Sequence, residues 1–165
     1  MTPKKAAIAL ATVGAVTILM GCPPDKPADT ATTGKAWSFD SLNGAGKCKV
    51  TPGKVVMVDV WATWCEPCKK SFPKLQELYT KYQGKFEVVA LSADDEKDGI
   101  AAFAKNYGAK FPVCWDEKKN VIKTFDPKTM PSSYILDKKG NVRFTHTGWK
   151  DGEEAEIEKE IKGLL

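Results

Sequence analysis

VVMVDVWATWCEPCKK, residues 55–70, joins an apolar run to two cysteines set three positions apart. Five of its first seven residues are Val or Met, and only Asp59 and Trp61 break the series. A continuous apolar run of this kind fits a strand covered on both faces. Cys65 then falls where the strand hands over to a helix. A thiol at a helix N-terminus feels the dipole and the unpaired backbone N–H groups, which favour thiolate over thiol and make Cys65 the nucleophile candidate. Cys68 lies one turn deeper on the same helix face, close enough to close a small disulfide ring. Attack, mixed disulfide and resolution can therefore occur at one place. The same spacing could be half of a zinc site, which calls for a second pair of ligands. No second such pair occurs and His146 is the sole histidine, so the reading is a redox pair with no metal.

Beyond the cysteines, Phe72, Leu75, Leu78, Tyr79 and Tyr82 recur at helical spacing, which predicts an amphipathic helix to about Gln83, kinked at Pro73 and stopped at Gly84. FEVVALS, residues 86–92, is a second buried strand, giving a parallel strand–helix–strand unit. Asp94 and Asp95 are expected to open a helix that carries Ile100, Phe103, Ala104 and Tyr107. A short strand over Phe111–Trp115, a short helix around Val121, Ile122 and Phe125, a hairpin of Ser133–Leu136 with Val142–Thr147, and a C-terminal helix bearing Ile157, Ile161 and Leu164 complete the chain. Ahead of the central run, Trp37–Phe39 and Leu42–Gly44 suggest a short strand and turn, and glycines keep the following residues loop-like up to Lys54 or Val55.

The chain has 165 residues, enough for one domain with a core, and 42% hydrophobic with 28% charged residues describes an ordinary globular composition. The net charge of +4, or +2 once a segment bearing Lys4 and Lys5 is removed, is too mild to argue for nucleic acid. Residues 1–21 read as an export signal: a positive start, the uncharged stretch Ala6–Met20, then Gly21 and Cys22. Leu19-Met20-Gly21-Cys22 resembles a bacterial lipobox, with Cys22 as the lipidated first residue, plain cleavage and a signal-anchor helix being the alternatives. Residues 22–35, rich in Pro, Thr and Ala, read as a flexible tether, which leaves 36–165 as the folded domain. That places the domain outside the cytoplasm, where disulfides persist. Cys48 and Cys114 remain after the other cysteines are assigned, and an even remainder there suggests a structural disulfide from the N-terminal hairpin to the added strand, two buried free thiols being the alternative.

WATWCEPCKK resembles the active site of the thioredoxin superfamily, in particular its membrane-tethered TlpA/ResA-type thiol–disulfide oxidoreductases, and the resemblance runs from about Trp37 to Leu165. It implies an α/β thioredoxin-like fold, a mixed central sheet flanked by helices, with an N-terminal hairpin and an inserted strand–helix pair. It also implies that Asp59, six residues before Cys65, is a buried acid that shuttles the proton of Cys68. An unpaired buried carboxylate has a raised pKa and suits that work, while a structural carboxylate bonded to the loop is the alternative. The lysine that partners this acid in thioredoxins is replaced here by Ala90. Pro131 stands where the superfamily has a cis-proline, so Met130 and Pro131 are expected to dock an extended substrate, and Trp64 is expected to shield the disulfide and contact substrate.

Glu66 and Pro67 tune the pair. A carboxylate beside Cys65 opposes its thiolate and makes the couple more reducing, and proline suits the first turn. Trp61, Trp115 and Trp149 are read as packing residues, His146 as a surface or packing residue, and Lys69 and Lys70 as a solvated face. The resemblance implies a reductase of disulfides in exported proteins, apocytochrome c being the substrate class, fed by an inner-membrane dithiol donor of the CcdA/DsbD type and needing no cofactor. Three rivals stand beside it. One is a disulfide-forming oxidase, which Glu66 disfavours. Another is a peroxiredoxin-like peroxidase, whose Thr-x-x-Cys loop Ala62–Cys65 does not match. The third is a copper-delivery protein of the Sco kind, which needs three residues between its cysteines and a histidine ligand.

Overall fold

The computed structural model describes residues 36–165. The export signal, Cys22 and the tether lie outside the described residues. The elements, in chain order, are β1 (Phe39–Asp40), β2 (Lys47–Cys48), β3 (Val55–Trp61), α1 (Glu66–Lys81), β4 (Phe86–Ser92), α2 (Ile100–Asn106), β5 (Val113–Trp115), α3 (Asn120–Phe125), β6 (Ser132–Leu136), β7 (Val142–Thr147) and α4 (Glu153–Leu164). β1 and β2 form a separate antiparallel hairpin, so the stretch expected to stay loop-like up to Lys54 holds one short strand. The other five strands form one sheet in the order β5-β4-β3-β6-β7. β3 pairs parallel with β4 and antiparallel with β6, which makes the sheet mixed and puts the apolar run of residues 55–61 at its centre. Every residue of β3 is buried, the burial a Val/Met run without alternation requires.

Side chains alternate between the two faces of β3. Val55, Met57 and Trp61 pack with Phe72 and Leu75 of α1, Ile100 and Phe103 of α2, and Ile157 and Ile161 of α4. Trp61 sits 4.5 Å from the Phe103 ring and 4.7 Å from Phe72. Truncating such a fully buried aromatic costs about 3–5 kcal/mol. On the other face, Val56, Val58 and Val60 pack with Val121, Ile122 and Phe125 of α3 and with Cys48 and Cys114. Those two cysteines are bonded, with Cα atoms 6.3 Å apart and no exposure at either, so β2 is stapled to β5. Leu42 N–H adds a hydrogen bond to Val113 O, and the N-terminal segment thereby covers the β5 edge of the sheet.

Two helix boundaries differ from expectation. α1 continues through Pro73 and ends at Lys81, because Tyr82 closes the helix through its N–H to Leu78 O and the chain then turns at Gly84 with φ +86°. α2 starts at Ile100, not at Asp94: the Asp94 carboxylate is engaged by Thr63 and Ser92, and Gly99 takes φ +85° immediately before the first turn. The inserted strand is also shorter than expected, Val113–Trp115, after a proline that has no N–H to give the ladder.

Candidate active site

The loop between β3 and α1 is a tight turn in which Cys65 N–H reaches back to Ala62 O at 3.1 Å. Cys65 is the N-cap of α1, with extended backbone (φ −78°, ψ 105°), and its Sγ accepts the Cys68 N–H at 3.3 Å. An N-cap ordinarily satisfies the orphan N–H groups of the first turn with an oxygen. Here sulfur takes that place, so once reduced it would face backbone donors and the positive end of the helix dipole. Pro67 occupies the first turn, where its missing N–H costs nothing. Cys65 and Cys68 are disulfide-bonded with Cα atoms 5.3 Å apart. Cys65 keeps 4% exposure and Cys68 none, so the two sulfurs are not equivalent to an incoming partner. Glu66 is exposed and bonds Lys69 Nζ at 2.6 Å, which raises the lysine's pKa and offsets the negative charge beside Cys65.

Asp59 has no exposure and lies on the β3 face shared with Met57 and Trp61, the face covered by α1. Ala90 sits across from it on β4, so no cation answers the carboxylate from that strand. Ser133 of β6 sits across on the other side and donates its hydroxyl to Oδ1 at 2.6 Å. Oδ2 has no hydrogen-bond partner among the described residues. Burial pushes the Asp59 pKa up to about 7, against a smaller downward pull from the Ser133 hydroxyl. The expected buried acid is therefore present on the strand that leads into the cysteine turn, with its pKa raised to about 7 by burial.

The Met130–Pro131 bond is cis, Pro131 is buried and Met130 packs against the core cluster that holds Cys65 and Cys68. Trp64 is 68% exposed, by far the most exposed large apolar side chain described. Trp61 is fully buried, and Trp115 and Trp149 pack at the edge of the same cluster, as read from the sequence. His146, on β7, is nearly enclosed: Nδ1 lies 3.2 Å from Glu153 and Nε2 2.7 Å from Glu160, so it fastens the edge strand to α4. Lys70 reaches Asp151 only at 3.6 Å and stays solvated.

Two polar residues of this region, Ser133 and Asp94, take roles that the sequence reading did not assign to them. Ser133 partners Asp59 across 74 positions. Asp94, 6% exposed, accepts from Thr63 N–H at 3.0 Å, from Thr63 Oγ1 at 2.7 Å and from Ser92 Oγ at 2.6 Å. The usable signal for Ser133 was a hydroxyl inside a short buried strand, two residues after the singled-out proline.

A cystine at a helix N-terminus, a buried acid on the strand that leads to it and a cis X–Pro loop on a mixed sheet define a thioredoxin-like redox domain. The chain belongs to the AhpC/TSA family, whose model matches residues 34–145. Over 124 residues it is 36% identical to the thioredoxin-like protein YneN of Bacillus subtilis, covering 73% of this chain and 72% of that one. Over 91 residues it is 43% identical to the thiol-disulfide oxidoreductase ResA of Bacillus thuringiensis subsp. konkukian, covering 54% and 53%. The chain thus spans about half the length of the ResA relatives it matches. Among solved structures, a putative thiol:disulfide interchange protein DsbE from Chlorobium tepidum superposes with a TM-score of 0.74 at 29% identity, covering 84% of this chain and 97% of that one. No described helix is long and apolar enough to cross a membrane.

Proposed function

We propose that this chain is an extracytoplasmic thiol–disulfide oxidoreductase working as a reductase of disulfides in exported proteins. The observation that carries the chemistry is the asymmetry of the pair: Cys65 caps α1 and keeps some exposure, while Cys68 is wholly enclosed beneath it. The Cys65 thiolate attacks one sulfur of a substrate disulfide; that S–S bond breaks, and the departing substrate thiolate takes a proton from water. Asp59, ionising near neutrality, accepts the proton of Cys68, and the Cys68 thiolate attacks Cys65 Sγ. The Cys65–Cys68 bond forms, the second substrate thiol leaves, and two electrons have passed from the protein to its substrate. Trp64, exposed beside Cys65, and the cis Met130–Pro131 loop serve as the docking contacts.

The location outside the cytoplasm rests on the signal and lipobox pattern ending at Cys22, and on a second, fully buried disulfide, Cys48–Cys114, which belongs to a compartment that makes such bonds. The apocytochrome c class and a CcdA/DsbD-type membrane donor rest on the likeness of Cys-Glu-Pro-Cys to the ResA motif. A peroxidase reading draws on the family's description. Against it, the Thr63 hydroxyl points its proton at Asp94, and the donor to Cys65 Sγ is the Cys68 N–H. The deciding experiment is the reduction potential of Cys65–Cys68 in redox buffers: about −270 mV or lower is expected, and a value near −120 mV would make the protein an oxidant.

A further inference from the structure

Thr63 and Trp64 are the two corner residues of the Ala62–Cys65 turn, and the turn sends them in opposite directions. Trp64 goes out into solvent, whereas Thr63 turns inward and commits both its N–H and its hydroxyl to the buried Asp94 carboxylate. The corner N–H is the donor such a turn leaves unpaired, so an outside acceptor determines how firmly the turn is held. Asp94 is itself held from both sides. Ser92 donates to its Oδ2 at 2.6 Å, and Trp115 Nε1 donates to its carbonyl oxygen at 2.9 Å. Trp115 adjoins Cys114 of the staple, and its strand pairs with β4 at Ser92.

We propose that Asp94 is a positioning residue for substrate engagement: it anchors Thr63, and so sets where the next two residues, Trp64 and Cys65, stand toward an incoming polypeptide. Nothing in the Asp94 contacts touches a reacting sulfur; it acts through Thr63. This rests on the oxidoreductase reading above and narrows it to protein disulfides, because a small disulfide needs only Cys65 Sγ while a folded or extended chain also needs the tryptophan beside it. Charge-assisted hydrogen bonds to a buried carboxylate are the strong kind, which suits a clamp that must hold a turn rigid through two redox states.

The test compares insulin with hydroxyethyl disulfide as substrates, dithiothreitol supplying electrons, in the wild type and in Asp94→Ala, Asp94→Asn and Thr63→Val. In Asp94→Ala the ratio of kcat/KM for insulin to that for hydroxyethyl disulfide should drop about tenfold, chiefly through KM for insulin. Asn keeps an acceptor for Thr63 and can donate to Ser92, so Asp94→Asn should recover most of the ratio, and Thr63→Val, which loses only the hydroxyl bond, should fall in between. A purely structural Asp94 would lower the melting temperature and leave the ratio at its wild-type value, which overturns the proposal even if Asp94→Ala cannot be purified, since Thr63→Val reads the same ratio. A wild type inert toward both substrates would overturn the oxidoreductase reading itself, and this inference with it.

Discussion

Replacing Asp59 by Asn probes the buried acid directly, because Asn keeps the shape and an oxygen for the Ser133 hydroxyl but has no charge to bury. Asp59 rises from an ordinary 3.8 to about 7 in the folded disulfide form. Its proton is therefore lost first from the unfolded chain, and stability declines as pH climbs from about 4 through 7, levelling off above the folded pKa. With 1.36 kcal/mol per unit, the penalty is about 1 kcal/mol at about pH 4.5 and about 4 kcal/mol at about pH 8. Any cost of burying an unpaired amide at Oδ2's place is the same at both pH values and cancels in the comparison. The measurement is urea unfolding of oxidised wild type and Asp59→Asn at those two pH values. The stability difference should move by about 3 kcal/mol in favour of Asn at the higher pH. A difference that stays constant between the two would mean that Asp59 ionises normally, and the assignment of a neutral-range base would fall.

The same titration should appear in catalysis. Release of substrate from the Cys65 mixed disulfide, followed by stopped flow, is expected to accelerate as pH passes about 7 in the wild type and to lose that step in Asp59→Asn. Cys65→Ser should abolish disulfide reduction, while Cys68→Ser should accumulate mixed disulfides visible on non-reducing gels; a fully active Cys65→Ser protein would refute the nucleophile assignment. Removing the staple as Cys48→Ala with Cys114→Ala opens a loop of 66 residues, and denaturant titration should register a loss of about 4 kcal/mol. Because Glu66 is exposed and paired with Lys69, Glu66→Gln should raise the potential of the pair by no more than about 15 mV, half a pKa unit in thiolate stability.

What could be read from the chain beforehand follows from how locally each feature is encoded. The β3 run, the cysteine spacing and the periodic apolar positions of α1 and α4 carry their periods within a few turns, and those elements stand close to where they were expected. Asp94 was misread because an acidic pair ahead of an apolar helical pattern is the ordinary signature of a helix start, and only the folded chain brings Thr63 to compete for that carboxylate. The partner of Asp59 was invisible for a similar reason: antiparallel pairing of β6 with β3 delivers a serine from 74 residues away. Cysteine parity singled out Cys48 and Cys114 as candidates, but a Cα separation that permits bonding exists only once β2 lies over β5. His146 was read as a surface or packing residue because its strand alternates with solvent, and α4 settles it as packing by roofing it with two glutamates.

The position of the staple also decides how the protein can be handled by any thiol system. Exchange needs a thiolate to reach a sulfur along the S–S axis, and the two cystines lie in the cores on opposite faces of one sheet, one at a loop and one sealed between β2 and β5. A thiolate that can reduce Cys65–Cys68 therefore finds no path to Cys48–Cys114, neither of whose cysteines has any exposure. One polypeptide can thus keep a permanent bond and a transient one side by side in a single redox environment, the distinction being made by access, not by the surrounding glutathione or quinone pool.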